Sequence, residues 1–87
     1  DICFIGAGGI SPQHGVLVKS FDEAYVAKSM IAMSKKAVIL ADHTKFGQDG
    51  VMCIATLKEI DSIITDKGFK TTGYTQQDFG GKLRIAY

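Results

Sequence analysis

Ala37-Val38-Ile39-Leu40-Ala41 runs directly into Asp42-His43-Thr44-Lys45-Phe46-Gly47. Five consecutive apolar residues read as a short strand of the kind buried on both faces, and the polar, glycine-closed segment after it reads as a loop. Upstream, Ser20-Phe21-Asp22-Glu23 has the spacing of a capping box, in which the serine hydroxyl takes a first-turn amide and the glutamate reaches back. Ala24, Ala27 and Ile31 follow at i, i+3 and i+7, which predicts a helix over about Phe21 to Lys36. Lys35 and Lys36 suit the negative end of its dipole.

Further out, Asp1 to Gly6 is an apolar run closed by glycine and reads as another buried strand. Ala7 to His14, with the chain's single proline at Pro12, reads as a loop, and Gly15 to Lys19 as extended. Downstream, Val51 to Thr56 and Ser62 to Thr65 read as short strands. Thr56 and Glu59 have cap spacing for one helical turn, and Asp66-Lys67-Gly68 reads as a turn. Thr71 to Gly81 is polar, with a short helix near Thr75, and Leu83 to Ala86 is a final strand. Apolar strands alternating with helical or looping segments predict an α/β fold with a parallel sheet. Such a sheet needs cover on both faces, and one helix supplies it for only one. A further part of the chain or a partner molecule is therefore expected on the other face. Asp1 in place of methionine, opening straight into a strand, leads us to expect a piece of a longer protein.

Composition narrows the function classes. The 87 residues make one domain at most, and 46% hydrophobic residues suit a packed core. Ten lysines and arginines against nine acids give no concentrated basic surface, so this segment is not expected to be the main nucleic-acid contact. No apolar run reaches the roughly 18 residues of a membrane span, and no signal peptide is read. Cys3 and Cys53, each within an apolar run, are expected to be buried reduced thiols of a cytoplasmic protein.

Several residues invite chemistry. Ile5-Gly6-Ala7-Gly8-Gly9-Ile10 after a strand suggests a dinucleotide loop, but the third glycine position is Ser11 and strand, not helix, follows. A glycine turn through which Gly6, Ala7, Gly8 and Gly9 bring backbone near a small ligand fits better. Asp42 and Lys45 leave the carboxyl end of the central strand, where open α/β sheets bind ligands, and a lysine there offers a mobile cation to a phosphate. Lys19 precedes the helix and can face an anion near its N-terminus. Glu23 has a structural task in the cap beside any functional one. His14 and His43 lack metal-ligand spacing, and no metal or cofactor is expected.

The string Asp1-x-x-Phe4-x-Gly6-Ala7-x-Gly9-Ile10, then Gly15, Glu23-Ala24, Met30, Ala41-Asp42-x-x-Lys45-Phe46-Gly47 and Ile60-Asp61-x-x-Ile64-Thr65-Asp66 resembles the second half of the DeoR-type sensor domain. The resemblance covers roughly Asp1 to Gly68 and is general toward the lactose phosphotransferase-system repressors. It implies a fold like that of ribose-5-phosphate isomerase and the NagB-like enzymes, with residues 1–87 forming the C-terminal part of an effector-sensing domain. The first half of the sensor and an N-terminal helix-turn-helix for operator DNA would lie outside the chain. It further implies a phosphorylated-sugar effector, a homo-oligomer and no membrane partner. The isomerase carries an Asp-Gly-Ala-Asp segment whose carboxylates move protons, and the matching stretch here is Ile5-Gly6-Ala7-Gly8. Glu23 resembles the enzyme's general base, and the Asp42-x-x-Lys45 loop resembles its phosphate-contacting segment. Ligand-binding residues are therefore expected at Gly6, Ala7, Gly8, Gly9, Lys19, Glu23, Asp42 and Lys45, with no catalysis. Losing an acid partner costs about 10²–10⁴-fold in rate. An isomerase or deaminase fragment is the rival expectation, and a ligand-free oligomerisation module a second.

Overall fold

The computed structural model describes residues 1–86. Four strands form the expected parallel sheet: β1 (Ile2–Gly6), β4 (Lys36–Leu40), β6 (Ser62–Thr65) and β7 (Leu83–Ile85), in the order β1-β4-β6-β7. Cys3 lies beside Ala37, Ile39 beside both Ile5 and Ile63, and Ile63 beside Leu83, so these side chains share one face. That face is the buried one, with Ile39 and Ile63 fully enclosed. Enclosing each such side chain contributes roughly 1.5–3 kcal/mol. Asp61 fixes the start of β6 against β4: its carboxylate accepts the Ala37 amide at 2.7 Å and its own amide donates to the Ala37 carbonyl at 2.9 Å.

The sequence does not announce the second sheet. β2 (Gly9–Ser11), β3 (Gly15–Val18) and β5 (Met52–Ala55) pair antiparallel in the order β2-β3-β5. β2 lies inside the stretch expected to be loop. Its hairpin turns through Pro12-Gln13-His14, where the Ser11 hydroxyl accepts the His14 amide at 3.0 Å and Gly15 takes a left-handed φ of 76°. The β5 strand expected between Val51 and Thr56 joins this sheet and not the parallel one. Cys53 lies on it exposed, whereas Cys3 is buried, so the expectation of two buried thiols holds for Cys3 alone. Cys53 is on the outermost strand of a small sheet, where an apolar sequence run does not guarantee cover.

Helix α1 (Phe21–Met33) packs on β1, β3 and β5 through Ala24 and Ala27, with Ile31 half-buried beside them. It stops three residues short of the expected Lys36. Ser34 is extended at φ −108° and ψ 149°, and Lys36 already pairs with Ile2 in the sheet. Lys35 and Lys36 therefore do not stand at the helix's negative end; strand pairing overrides their helix propensity. The Ser20 hydroxyl accepts the Glu23 amide at 3.1 Å, and the Glu23 carboxylate bonds back to that hydroxyl instead of to a backbone amide.

The opposite face of the parallel sheet is open. Ile2, Phe4 and Leu40 are 50%, 52% and 41% exposed, and among them only Val38 is buried. Phe21, Tyr25, Val26, Met30 and Met33 likewise point outward from α1.

Candidate functional site

All four parallel strands end at the same edge, so Gly6, Leu40, Thr65 and Ile85 define one rim. The ladder continues one residue past it: the Ala7, Ala41 and Ala86 amides donate to the Leu40, Ile64 and Thr65 carbonyls. The segments leaving β4 and β6 run into 3-10 turns, where the Asp42 and Asp66 side chains take up amides that the sheet no longer pairs.

The loop after β1 is held tightly. The Ala7 amide is committed to Leu40 and the Gly8 amide donates to the Leu17 carbonyl at 2.9 Å. A Cβ on Gly9 would lie 2.2 Å from the Gln48 carbonyl oxygen, a close approach that only glycine permits. Lys19 lays its aliphatic stem along Gly8, its Cγ 2.8 Å from where a Cβ would stand. Gly6 instead faces open space. It borders a groove of about 460 Å³ between β1 and α1, lined by Phe4, Val18, Val26 and Met30 with Asp22 and Glu23. The groove is mainly apolar, with Asp22 and Glu23 on its helix side.

The loop after β4 begins with Asp42, which caps a 3-10 turn, His43–Lys45. The Thr44 hydroxyl and then the Thr44 amide donate to the Asp42 carboxylate; with Lys45 and His43 nearby they hold its pKa below the usual value. The Lys45 ammonium stands 3.9 Å from that carboxylate, on a side chain that is 37% exposed. Lys45 and Asp42 do not line the groove with Gly6 and Glu23. The two loops nevertheless touch: the Gly47 amide donates to the Ile10 carbonyl at 2.8 Å, and Gln48 packs against Gly9. The eight expected residues thus fall into a groove set, Gly6 and Glu23; a bridging set, Ala7, Gly8, Gly9 and Lys19; and a turn set, Asp42 and Lys45.

Sequence reasoning treated His43 as isolated and Asp66 as part of a plain turn. Asp66 follows β6 as Asp42 follows β4, at the same register, since Leu40 lies beside Ile64. Its carboxylate accepts the His43 amide at 3.1 Å, the His43 Nδ1 at 2.8 Å and the Gly68 amide at 2.8 Å. An ionised carboxylate only accepts, so Nδ1 of His43 carries the proton. Burial pushes the Asp66 pKa up, and the donors from His43 and Gly68 outweigh it to leave the pKa lowered. The signal available in sequence was the repeated placement of an aspartate directly after an apolar strand. Beneath these turns Phe46, Phe69, Tyr74 and Phe79 form an edge-to-face cluster, with Phe46 to Phe69 at 5.0 Å and Phe46 to Phe79 at 5.3 Å. Next to Asp66, the Thr65 hydroxyl is buried with no hydrogen-bond partner. Among the described residues there is no cluster of His, Cys, Asp and Glu able to hold a metal, and no helix long and apolar enough to cross a membrane.

Comparison with known proteins agrees with this geometry. The family model of the DeoR C-terminal sensor domain matches residues 1–67. The HTH-type transcriptional repressor GlcR of Bacillus subtilis is 39% identical over 67 residues, 77% of this chain and 26% of that protein. The HTH-type transcriptional regulator GolR of Listeria innocua is 32% identical over 87 residues, 99% of this chain and 34% of that protein. The deoxyribose operon repressor of Escherichia coli K12 is 30% identical over 66 residues, 76% of this chain and 26% of that protein. The chain spans between a quarter and a third of the length of these relatives. The match of the family model over residues 1–67, together with these identities, shows that the chain belongs to the DeoR C-terminal sensor domain family.

Proposed function

We propose that the chain is the C-terminal part of an effector-sensing domain in a cytoplasmic, DNA-binding repressor of carbohydrate metabolism, and that its effector is a phosphorylated sugar. The sugar body occupies the groove beside Gly6 and Glu23, and Lys45 and Lys19 are the cations that meet the phosphate. DNA is contacted by an N-terminal helix-turn-helix. The open face of β1 and β4 is covered by the first half of the sensor, which belongs to the length that the relatives have and this chain does not span. The protein acts as a homo-oligomer, and effector shifts it between DNA-competent and released states by binding one of them more tightly.

The observation that carries this reading is the composition of the rim. The exposed Lys19 and the part-exposed Lys45 supply cations at the strand-end loops, whereas Gly6-Ala7-Gly8 offers no carboxylate to move protons. Glu23 stands as a base without an acid partner on that loop, and it is already engaged with the Ser20 hydroxyl.

Titrating the intact repressor with a panel of sugar phosphates, alone and on operator DNA, tests the proposal. Saturable binding that releases DNA is the expected result. Lys45→Ala should weaken effector binding about 10- to 100-fold, the range for losing a hydrogen bond to a charged group, and leave operator affinity intact. An unchanged effector dissociation constant removes Lys45 from the site. Turnover of ribose 5-phosphate or glucosamine 6-phosphate by the intact protein would replace this reading with an enzyme.

A further inference from the structure

Resting on the assignment of Lys45 as the phosphate-binding cation, we infer that Asp66, with Gly68, is the positioning residue for Lys45, acting through His43.

The 3-10 turn that carries Lys45 is only three residues long. A single turn fixes several dihedrals for very few internal bonds, so it does not hold itself. Two backbone bonds close it, Lys45 to Asp42 at 3.1 Å and Phe46 to His43 at 3.3 Å. Its far end is fastened by Phe46, buried in the aromatic cluster, and by the Gly47 amide on Ile10, and its near end is fastened laterally. His43 opens the turn and is gripped twice by Asp66, once at its amide and once at its ring. Asp66 is itself anchored, since it caps the next 3-10 turn, Lys67–Thr71, through the Gly68 amide. The ring lies against Gly68 so closely that a Cβ there would be 2.3 Å from Nδ1 and 2.5 Å from Cγ. Any side chain at residue 68 must displace the imidazole.

Asp66 is a poor candidate for direct ligand contact. Three donors already occupy its two carboxylate oxygens. Lys45 differs in its partners and not in its exposure, since both side chains are a little over a third exposed: its one close charge partner among the described residues is Asp42 at 3.9 Å. A long flexible lysine loses rotamer freedom on binding an anion, and fixing its backbone reduces the ordering still required. The chain therefore separates the tasks, with Lys45 meeting the anion and Asp66 and Gly68 setting where the lysine starts from.

The test uses the intact repressor and inorganic phosphate as probe, with side-chain NMR shifts of Lys45 and the phosphate dissociation constant as readouts. His43→Leu, Asp66→Asn and Gly68→Ala should each weaken phosphate binding about three- to tenfold. Combined with Lys45→Ala, each should weaken it no further, because residues acting through one another are not additive. His43→Asn, whose amide can donate to Asp66 in place of Nδ1, should recover most of the affinity that His43→Leu loses. Should Asp66→Asn fold poorly by its melting temperature, Gly68→Ala and the His43 pair carry the comparison. If Lys45→Ala weakens phosphate binding but the His43, Asp66 and Gly68 variants do not, the positioning role is wrong and the site stands. Losses that add fully to that of Lys45→Ala would equally overturn it. If wild type binds no phosphate, or Lys45→Ala changes nothing, the assignment of Lys45 fails and this inference falls with it.

Discussion

Among the described residues, Asp42, Glu59 and Asp66 are more acidic in the folded state than in free solution, each for a local reason. At Asp42 the cause is the Thr44 hydroxyl, seconded by the Thr44 amide; at Glu59 it is the Thr56 amide. At Asp66 partial burial works the other way and is outweighed by His43 and Gly68. A depressed folded pKa contributes stability that is fully present above the ordinary carboxylate range, about pH 4, and is lost as pH falls through and below it. The protein's melting temperature should therefore vary little in this respect from pH 7 to about 5, then fall, and Asp66→Asn should blunt the fall. A melting temperature that holds level down to pH 3 would contradict this. At this same scale the site was only partly readable. Lys45 and Gly9 could be singled out because a lysine after a buried strand and a glycine in a strand-end loop are each unusual locally. The grip of Asp66 on His43 could not, since it joins residues 23 apart whose contact exists only once β4 and β6 lie side by side.

Helix α1 shows which element-level signals survive folding. Its start was legible because a cap is a local contract among four residues, and the Ser20 hydroxyl takes the Glu23 amide as expected, although the Glu23 carboxylate accepts from that hydroxyl and not from a backbone amide. Replacing Ser20 with alanine strands a first-turn amide and should cost about 1 kcal/mol, seen as a lower denaturant midpoint at unchanged slope. No change in midpoint would mean that water serves the amide equally well. Its end was misjudged because Lys35 and Lys36 are good helix formers, while the pairing of Lys36 with Ile2 is a tertiary event. The antiparallel sheet escaped notice for a related reason. β2 is three residues long and sits among glycines, and nothing in Met52–Ala55 distinguishes a partner for β3 from a partner for β4.

For the molecule as a whole, the parallel sheet was the most legible feature, because Ala37-Val38-Ile39 is apolar at every position and is buried throughout. The expectation that one helix leaves a face uncovered was equally a matter of counting, and the exposed Ile2, Phe4 and Leu40 mark that face. The grouping of strand ends around one rim followed from the parallel arrangement, while the split into a groove and a lysine-bearing turn depends on how the two loops cross at Gly9 and Gln48. The bare face has a practical corollary for anyone handling these 87 residues alone. Dyes that fluoresce on oily surfaces, such as ANS, should light up with the chain fully native, its amide protons in β4 still protected from exchange. Dye fluorescence here would then gauge missing cover and not melting; a dark, dye-free solution of the native chain would show that the face had found a lid of its own.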